Sequence, residues 1–193
     1  MRSGLDFEDR FNTLYRTHRA AVLRYASRRS DPDTARDVVA ETFLVAWRKH
    51  AAIPADPDQV QPWLYGVARR VLANTERSAH RSQRLTMRLR QETREDQVPD
   101  PATAVTERER LIQALQLLPA RDQEALRLVG WEELDLAGAA LALGCSPSVM
   151  AARIYRARRK LEVALAAADR NPRRPASGSS ALATTQHRRL ESR

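Results

Sequence analysis

Four consecutive residues, Gly144-Cys145-Ser146-Pro147, constrain the fold more than any other stretch of this 193-residue chain. Leu136 to Leu143 precedes them, the longest apolar run, built mainly of alanine and leucine. After them, Val149 or Met150, Ile154, Ala157 and Leu161 recur at helical spacing. Glycine reaches the left-handed conformation that ends a helix tightly. Serine caps a following helix, and proline suits its first position because it has no N–H to lose there. The spacing therefore predicts a short helix, a tight turn, and a second helix with Arg153, Arg156, Arg159 and Lys160 facing largely outward. Ala137 and Ala140 are small enough for the two helices to cross closely. This is a helix-turn-helix pattern. The bland alternative is an ordinary helical hairpin; the basic second helix favours DNA.

A second stretch, Pro62 to Arg81, is apolar in its first half and cationic in its second. Leu64, Val67, Ala68, Val71 and Leu72 share one helical face, and Pro62 fits a first helical position. A helix packed at one end and basic at the other can hold charge firmly against nucleic acid. A core helix with a solvated end competes equally on these residues alone.

The remaining stripes are also helical. Between Leu5 and Arg29, Phe7, Phe11, Leu14, Tyr15, His18, Val22, Leu23, Tyr25 and Ala26 recur at threes and fours, giving one or two core-facing helices. Asp31 can cap the next helix, with Pro32 and Asp33 in its first turn. That helix buries Ala35, Val38, Val39, Thr42, Phe43, Ala46 and Trp47. Asp37 and Glu41, one turn apart, are either solvated or a carboxylate pair for a partner protein. Residues 51–61 hold Pro54 and Pro57 and read as a loop. The helix that follows continues or restarts into the arginine-rich segment 80–90. Leu111, Ile112, Leu115 and Leu118 form one further helical face, ended by Pro119. Arg121 to Leu128 forms another helix, with Ala125, Leu126 and Val129 inward.

The fold class is therefore all-α: two small helical domains joined by an extended acidic linker, the second containing the helix-turn-helix. The boundaries fall at 5–91, 92–106 for the linker, 107–167, and a disordered basic tail at 168–193.

Charge is layered along the chain. Residues 62–94 hold eight arginines and two acids, residues 95–135 ten acids and four arginines, and residues 146–163 five bases and one acid. With a net charge of +9, two basic blocks flanking an acidic one suit a polyanionic partner contacted by two surfaces. A single cysteine excludes an internal disulfide. His18, His50, His80 and His187 have no ligand spacing to Cys145, so no metal site is expected. No phosphate loop or nucleophile–base set is present. The expectation is a non-enzymatic protein with no cofactor. The N-terminus has no apolar signal region, and no run approaches a membrane span, so a cytoplasmic location is expected.

Four segments together resemble the extracytoplasmic-function (ECF) sigma factors of bacterial RNA polymerase, a compact branch of the sigma-70 family. Phe11-x-x-Leu14-Tyr15-x-x-His18-x-x-x-Val22-x-x-Tyr25-Ala26 is similar to the start of the family's first domain. Asp33 to Trp47 resembles its polymerase-clamp-binding helix, and Trp63 to Arg81 its −10 and melting region. Leu111 to Leu165, with Leu118-Pro119 and Arg153-Ile154-Tyr155-Arg156-Ala157-Arg158, resembles its −35-binding domain. The resemblance implies a promoter-specificity subunit that docks on core polymerase through Asp37, Glu41, Phe43 and Trp47, although Phe43 and Trp47 also lie on the core stripe. It implies −10 contacts from Arg69, Arg70, Asn74, Arg77, His80 and Arg81, where a flipped base is held by stacking and polar contacts. It implies −35 contacts from Ser148, Arg153, Tyr155, Arg156 and Arg159 in the major groove. Glu95, Asp96 and Asp100 would lie near the RNA exit path, and an anti-sigma factor is a further partner that the family allows. The chain departs from the usual family pattern at Arg70 (commonly Asn), Asn74 (commonly Asp), Gly138 (often Glu), and Ala151 and Ala152 (often polar or basic). Its promoter sequence is therefore not transferable from a relative. The competing function is a polymerase-independent helix-turn-helix regulator. It has no need of the helix at 33–47 followed by the stretch at 63–81.

Overall fold

A computed structural model describes residues 2–89 and 106–170, with no strand among them. The first unit holds α1 (Arg2–Ser27), α2 (Pro32–Arg48), a single 3-10 turn (His50–Ala52) and α3 (Pro57–Leu89). The second holds α4 (Glu107–Gln116), α5 (Ala120–Gly130), α6 (Leu136–Leu143) and α7 (Pro147–Arg170). Residues 90–105, covering nearly all of the expected linker, lie outside the described residues, as does the tail beyond 170.

Local chemistry sets these boundaries. Asp31 accepts from the backbone N–H groups of Asp33 and Thr34 at 3.1 and 3.0 Å, with Pro32 opening α2. Thr106, expected to close the linker, instead starts α4 through a capping box. Its hydroxyl accepts from the Glu109 N–H, and the Glu109 carboxylate accepts from its own. At Gly144 the chain turns left-handed (φ 67°). The N–H groups of Gly144 and Cys145 close back onto Leu141 and Ala140. Ser146 then accepts from the Val149 N–H at 3.3 Å and caps α7.

Two expectations are corrected, and two open alternatives are resolved. The N-terminal stripe is one continuous helix that starts at Arg2. Residues 57–61 are helical rather than loop, so Pro62 sits inside α3 and not at its start. At the sixth position its missing N–H forfeits the bond to the Asp58 carbonyl, and little more than one turn of helix lies before its ring. It is buried against Gly138 of α6, where an added Cβ would stand 3.1 Å from the proline Cγ. The arginine-rich segment continues α3 without a restart as far as Leu89. Residues 168–170, assigned to the tail, belong to α7.

The two units share one apolar core. Val22 and Tyr25 of α1, Val38 and Phe43 of α2, and Leu64 of α3 belong to the same cluster as Leu128, Ala140, Met150 and Ile154 of the second unit. Of the two alanines expected at the α6 crossing, Ala140 is buried but Ala137 is exposed. A separate close approach, of Gly138 and Ala142 to α3, was not among the expectations. At Gly66 of α3 an added Cβ would lie 3.0 Å from the Ala142 carbonyl oxygen, so α3 and α6 touch almost backbone to backbone.

A polar network borders this crossing. The Arg29 guanidinium of α1 forks onto Glu124 of α5 at 3.0 and 3.2 Å and reaches Glu132 at 2.9 Å. Arg28 also meets Glu132, at 2.9 Å. The Tyr25 hydroxyl donates to Glu124 at 2.7 Å, and Arg29 lies 3.6 Å above the Tyr25 ring. The side chains of Arg29 and Glu132 are only 7% and 3% exposed. Burial pushes the Tyr25 hydroxyl well above its ordinary pKa, and the Glu124 carboxylate adds to the rise.

Candidate nucleic-acid interface

Helices α2 and α3 enclose a groove of about 590 Å³, lined by Glu41, Lys49, Trp63, Arg70, Asn74 and Ser78 among others. The lining positions of α3 (Trp63, Val67, Arg70, Val71, Asn74, Ser78) follow a three-and-four spacing, so one helical face forms the wall. Arg70 is exposed, and its Nε donates to the Gly66 carbonyl at 2.8 Å. This fixes the base of the side chain and leaves its terminal nitrogens as donors. Arg77 donates to the Asn74 amide oxygen at 2.6 Å and to the Ala73 carbonyl at 2.9 Å, holding Asn74 in place. A cationic, partly apolar groove with a tryptophan in its wall can take an unstacked base and its phosphate.

Arg69 does not join this group. One residue along a helix is a rotation of about 100°, and Arg69 faces the seam between the units. There its charge acts on Tyr25, and its Nε is buried with no hydrogen-bond partner among the described residues. Arg81 is exposed further along α3; the side chain of His80 lies outside the described residues.

Helices α6 and α7 meet at 98°, the geometry of a helix-turn-helix. Ser148, Tyr155, Arg156 and Arg159 are exposed along α7, as are Ala151 and Ala152. Arg153 is half-buried on the flank, and the Ser148 hydroxyl pairs with that of Ser146 at 3.0 Å. Lys160, expected to point outward, is committed to Asp122 of α5 at 2.6 Å.

On α2, Asp37 and Glu41 are exposed, and Glu41 also lines the groove. Phe43 is not: it is 4% exposed and packs edge-on against Tyr15, with ring centroids 4.8 Å apart. Its core role leaves no surface for a partner. Trp47 does both jobs. Its ring meets Phe7 and Phe11 at 4.7 and 4.9 Å, yet it stays 39% exposed. Leu44, 41% exposed and one turn beyond Glu41, was missed by the sequence reading. So were Trp63, Lys49 and Ser78. Leu44 had a signal in the sequence: it is a large apolar residue on the charged face of an otherwise regular stripe.

The family model for sigma-70 region 2 matches residues 14–85, and that for sigma-70 region 4 matches residues 108–161. The ECF RNA polymerase sigma factor SigL of Mycobacterium tuberculosis is 30% identical over 153 residues, 79% of this chain and 86% of the relative. The chain belongs to the ECF sigma factors of the sigma-70 family. The RNA polymerase sigma factor NccH of Alcaligenes xylosoxydans xylosoxydans is 29% identical over 162 residues, covering 80% of this chain and 86% of that one. Among solved structures, CnrH in complex with the cytosolic domain of CnrY aligns with a TM-score of 0.53 at 26% identity, over 83% of this chain and 90% of that chain. The Bartonella quintana sigma factor RpoE, bound to the anti-sigma factor NepR, shares the fold (TM-score 0.54, 24% identity, 83% and 97% covered). In this sigma factor the α2–α3 groove therefore lies within region 2, and the helix-turn-helix within region 4. Both extend as all-α units, in the chain order that the sequence reading expected.

Proposed function

We propose that the α2–α3 groove takes the opened −10 strand while the outer face of α7 enters the −35 major groove, both delivered to promoters by core polymerase docked on α2. The observation that carries this reading is the groove itself. It places the exposed Arg70, with Asn74 steadied by Arg77, beside an aromatic wall on the region 2 helix. Among the sequence candidates, Arg70, Asn74, Arg77 and Arg81 keep their −10 assignment, with Trp63, Lys49 and Ser78 added. Arg69 is reassigned to the seam. Ser148, Tyr155, Arg156 and Arg159 are the −35 contacts, with Arg153 at their flank. Ala151 and Ala152 give the same face an apolar surface that suits a thymine methyl.

Asp37, Glu41, Leu44 and Trp47 form the polymerase-facing patch, two carboxylates beside exposed apolar surface. The protein has no catalytic role of its own and works wherever core polymerase works, in the bacterial cytoplasm. No single helix among the described residues is long and apolar enough to cross a membrane. An anti-sigma factor is a further partner in this reading, since both solved relatives above were captured with a partner, named as an anti-sigma factor in the RpoE complex.

Reconstituted transcription tests the reading. The full chain added to core enzyme should start RNA chains at a discrete set of genomic promoters. Silence on every promoter of a genomic library, or a defined footprint from the chain without core, would return the polymerase-independent regulator.

Two substitutions refine it. Asp37→Ala with Glu41→Ala should weaken association with core by about tenfold, with little change in melting temperature, because both side chains are exposed. A fluorescence titration of labelled chain with core reads this directly. Arg156→Ala should reduce −35 discrimination by about 1–3 kcal/mol if it contacts a base edge. Initiation from templates with scrambled −35 elements should be unchanged, and full −35 specificity in the variant would remove Arg156 from the contact set.

A further inference from the structure

We propose that the α2–α3 groove selects a guanine. Arg70 of α3 donates to its O6 and N7, Glu41 of α2 accepts from its N1–H and N2 amino group, and Trp63 meets its face. The proposal rests on the assignment above of this groove to the opened −10 strand, and adds which base that strand must carry.

Hydrogen bonds already made on α3 decide what its wall has left to offer. Arg70 engages its Nε with the Gly66 carbonyl at 2.8 Å and makes no other hydrogen bond or ion pair among the described residues. Its two terminal nitrogens remain, a fork of donors with no acceptor atom. The same bond folds the side chain back by one turn, from position 70 toward 66. The fork thus stands about three residues from Trp63, or ~4.5 Å along the helix. Trp63 and Val67 line the groove there and supply apolar surface against which a base can stack. Asn74 lies beyond, nearer the C-terminal end of the wall. A guanidinium can only donate, so Arg77 meets the Asn74 amide oxygen and leaves the amino group free. The charged and amide groups of the α3 wall therefore present donors only.

The α2 wall has the opposite character at one point. Glu41 is the only acid among the residues that line the groove. An ionised carboxylate accepts and cannot donate. Glu41 and Arg70 line one groove from two helices, yet they form no ion pair with each other. Opposite charges that share a groove without meeting leave room for a group that bridges them.

The bridge must carry two acceptors for the fork and two donors for the carboxylate. Guanine has that layout, with N7 and O6 on one edge and N1–H and the N2 amino group on the next. Adenine sets its N6 amino group beside N7, so a donor would meet the fork. Thymine would turn carbonyl oxygens toward the carboxylate. Cytosine strings its donor and acceptors along one edge, which suits groups standing side by side and not on two walls. Arginine to O6 and N7 is also the commonest base-specific contact. In duplex DNA the N1–H and N2 amino group are held by cytosine. Glu41 reaches them only once the strand is open, so this selection acts at opening and not at first encounter.

Initiation by the full chain with core polymerase tests the proposal, first on promoters randomised across the −10 region. Guanine should be favoured about tenfold over every other base at one position of the opened strand. That guanine is then replaced by 7-deazaguanine, which lacks N7, or by inosine, which lacks the N2 amino group. Templates melted in advance remove any contribution from duplex stability. Each analogue should lower initiation by the wild type about three- to tenfold. Arg70→Met should become indifferent to 7-deazaguanine, and Glu41→Leu indifferent to inosine while still sensing 7-deazaguanine. Ratios are taken within each variant, so a change in core affinity or in overall opening cancels.

A wild type with no guanine preference, or with a preference for cytosine, would overturn the proposal while leaving the −10 assignment standing. Full activity on both analogues, or variants as sensitive to them as the wild type, would do the same. Failure to initiate anywhere in the library would remove the −10 assignment itself, and the guanine with it.

Discussion

Arg70→Ala combined with Arg77→Ala is expected to cut promoter opening by about 10- to 100-fold at physiological salt, with binding to core unchanged. Arg70 contributes a cation at the groove wall, its Nε already satisfied by the Gly66 carbonyl. Arg77 contributes a second cation and also restrains Asn74 through a 2.6 Å bond, so its loss frees a polar side chain that the groove needs in place. Two lost phosphate contacts to single-stranded DNA should flatten the salt dependence of opening by about 1.4 in log–log slope. Permanganate reactivity of unpaired thymines across a salt series measures both effects. The defect should persist on a template melted in advance, because the contacts are to the single strand. Wild-type opening with an unchanged slope would remove both arginines from the −10 surface.

Leu64→Ala should lower the free energy of unfolding by about 2–5 kcal/mol. Leu64 is fully buried in α3, in the cluster that joins both units. The cost combines lost transfer of the side chain from water with the cavity left behind. Because that cluster also contains Leu128, Met150 and Ile154, the loss should appear in the second unit too. Urea unfolding followed at Trp63, with Trp47 and Trp131 replaced by Phe, should coincide with unfolding followed at Trp131 alone. Separate midpoints, with only the first shifted, would show that the two units do not share stability.

The sequence made the helices legible because their stripes are regular and their punctuation is chemical. Asp31-Pro32 and Gly144-Cys145-Ser146-Pro147 each leave one reasonable backbone path. Pro62 misled because a proline at the sixth position of a helix looks, in one dimension, like a proline at the first. Arg69 misled for a related reason. It is adjacent to Arg70 in sequence, but a helix turns adjacent residues to different faces. The groove was only half visible: its α3 wall follows one periodicity, while Glu41 and Lys49 arrive from another helix. The Arg29 network could not be read at all. Its two halves lie about a hundred positions apart, at 25, 28 and 29 and at 124 and 132; Tyr25 reads as core and each of the others as an ordinary surface residue until the fold brings them together.

The seam also has a consequence for how strong it needs to be. The two units are parts of one chain, joined by residues 90–105. Closure is therefore a unimolecular event, and a short connection holds its ends at an effective concentration in the millimolar range, roughly. An interface too weak to be detected between separate fragments would still keep the intact chain mostly closed. Severing the backbone within 90–105 would dilute the two halves to their bulk concentrations. The same contacts would then have to hold the halves together without that help, although no residue of the seam had changed.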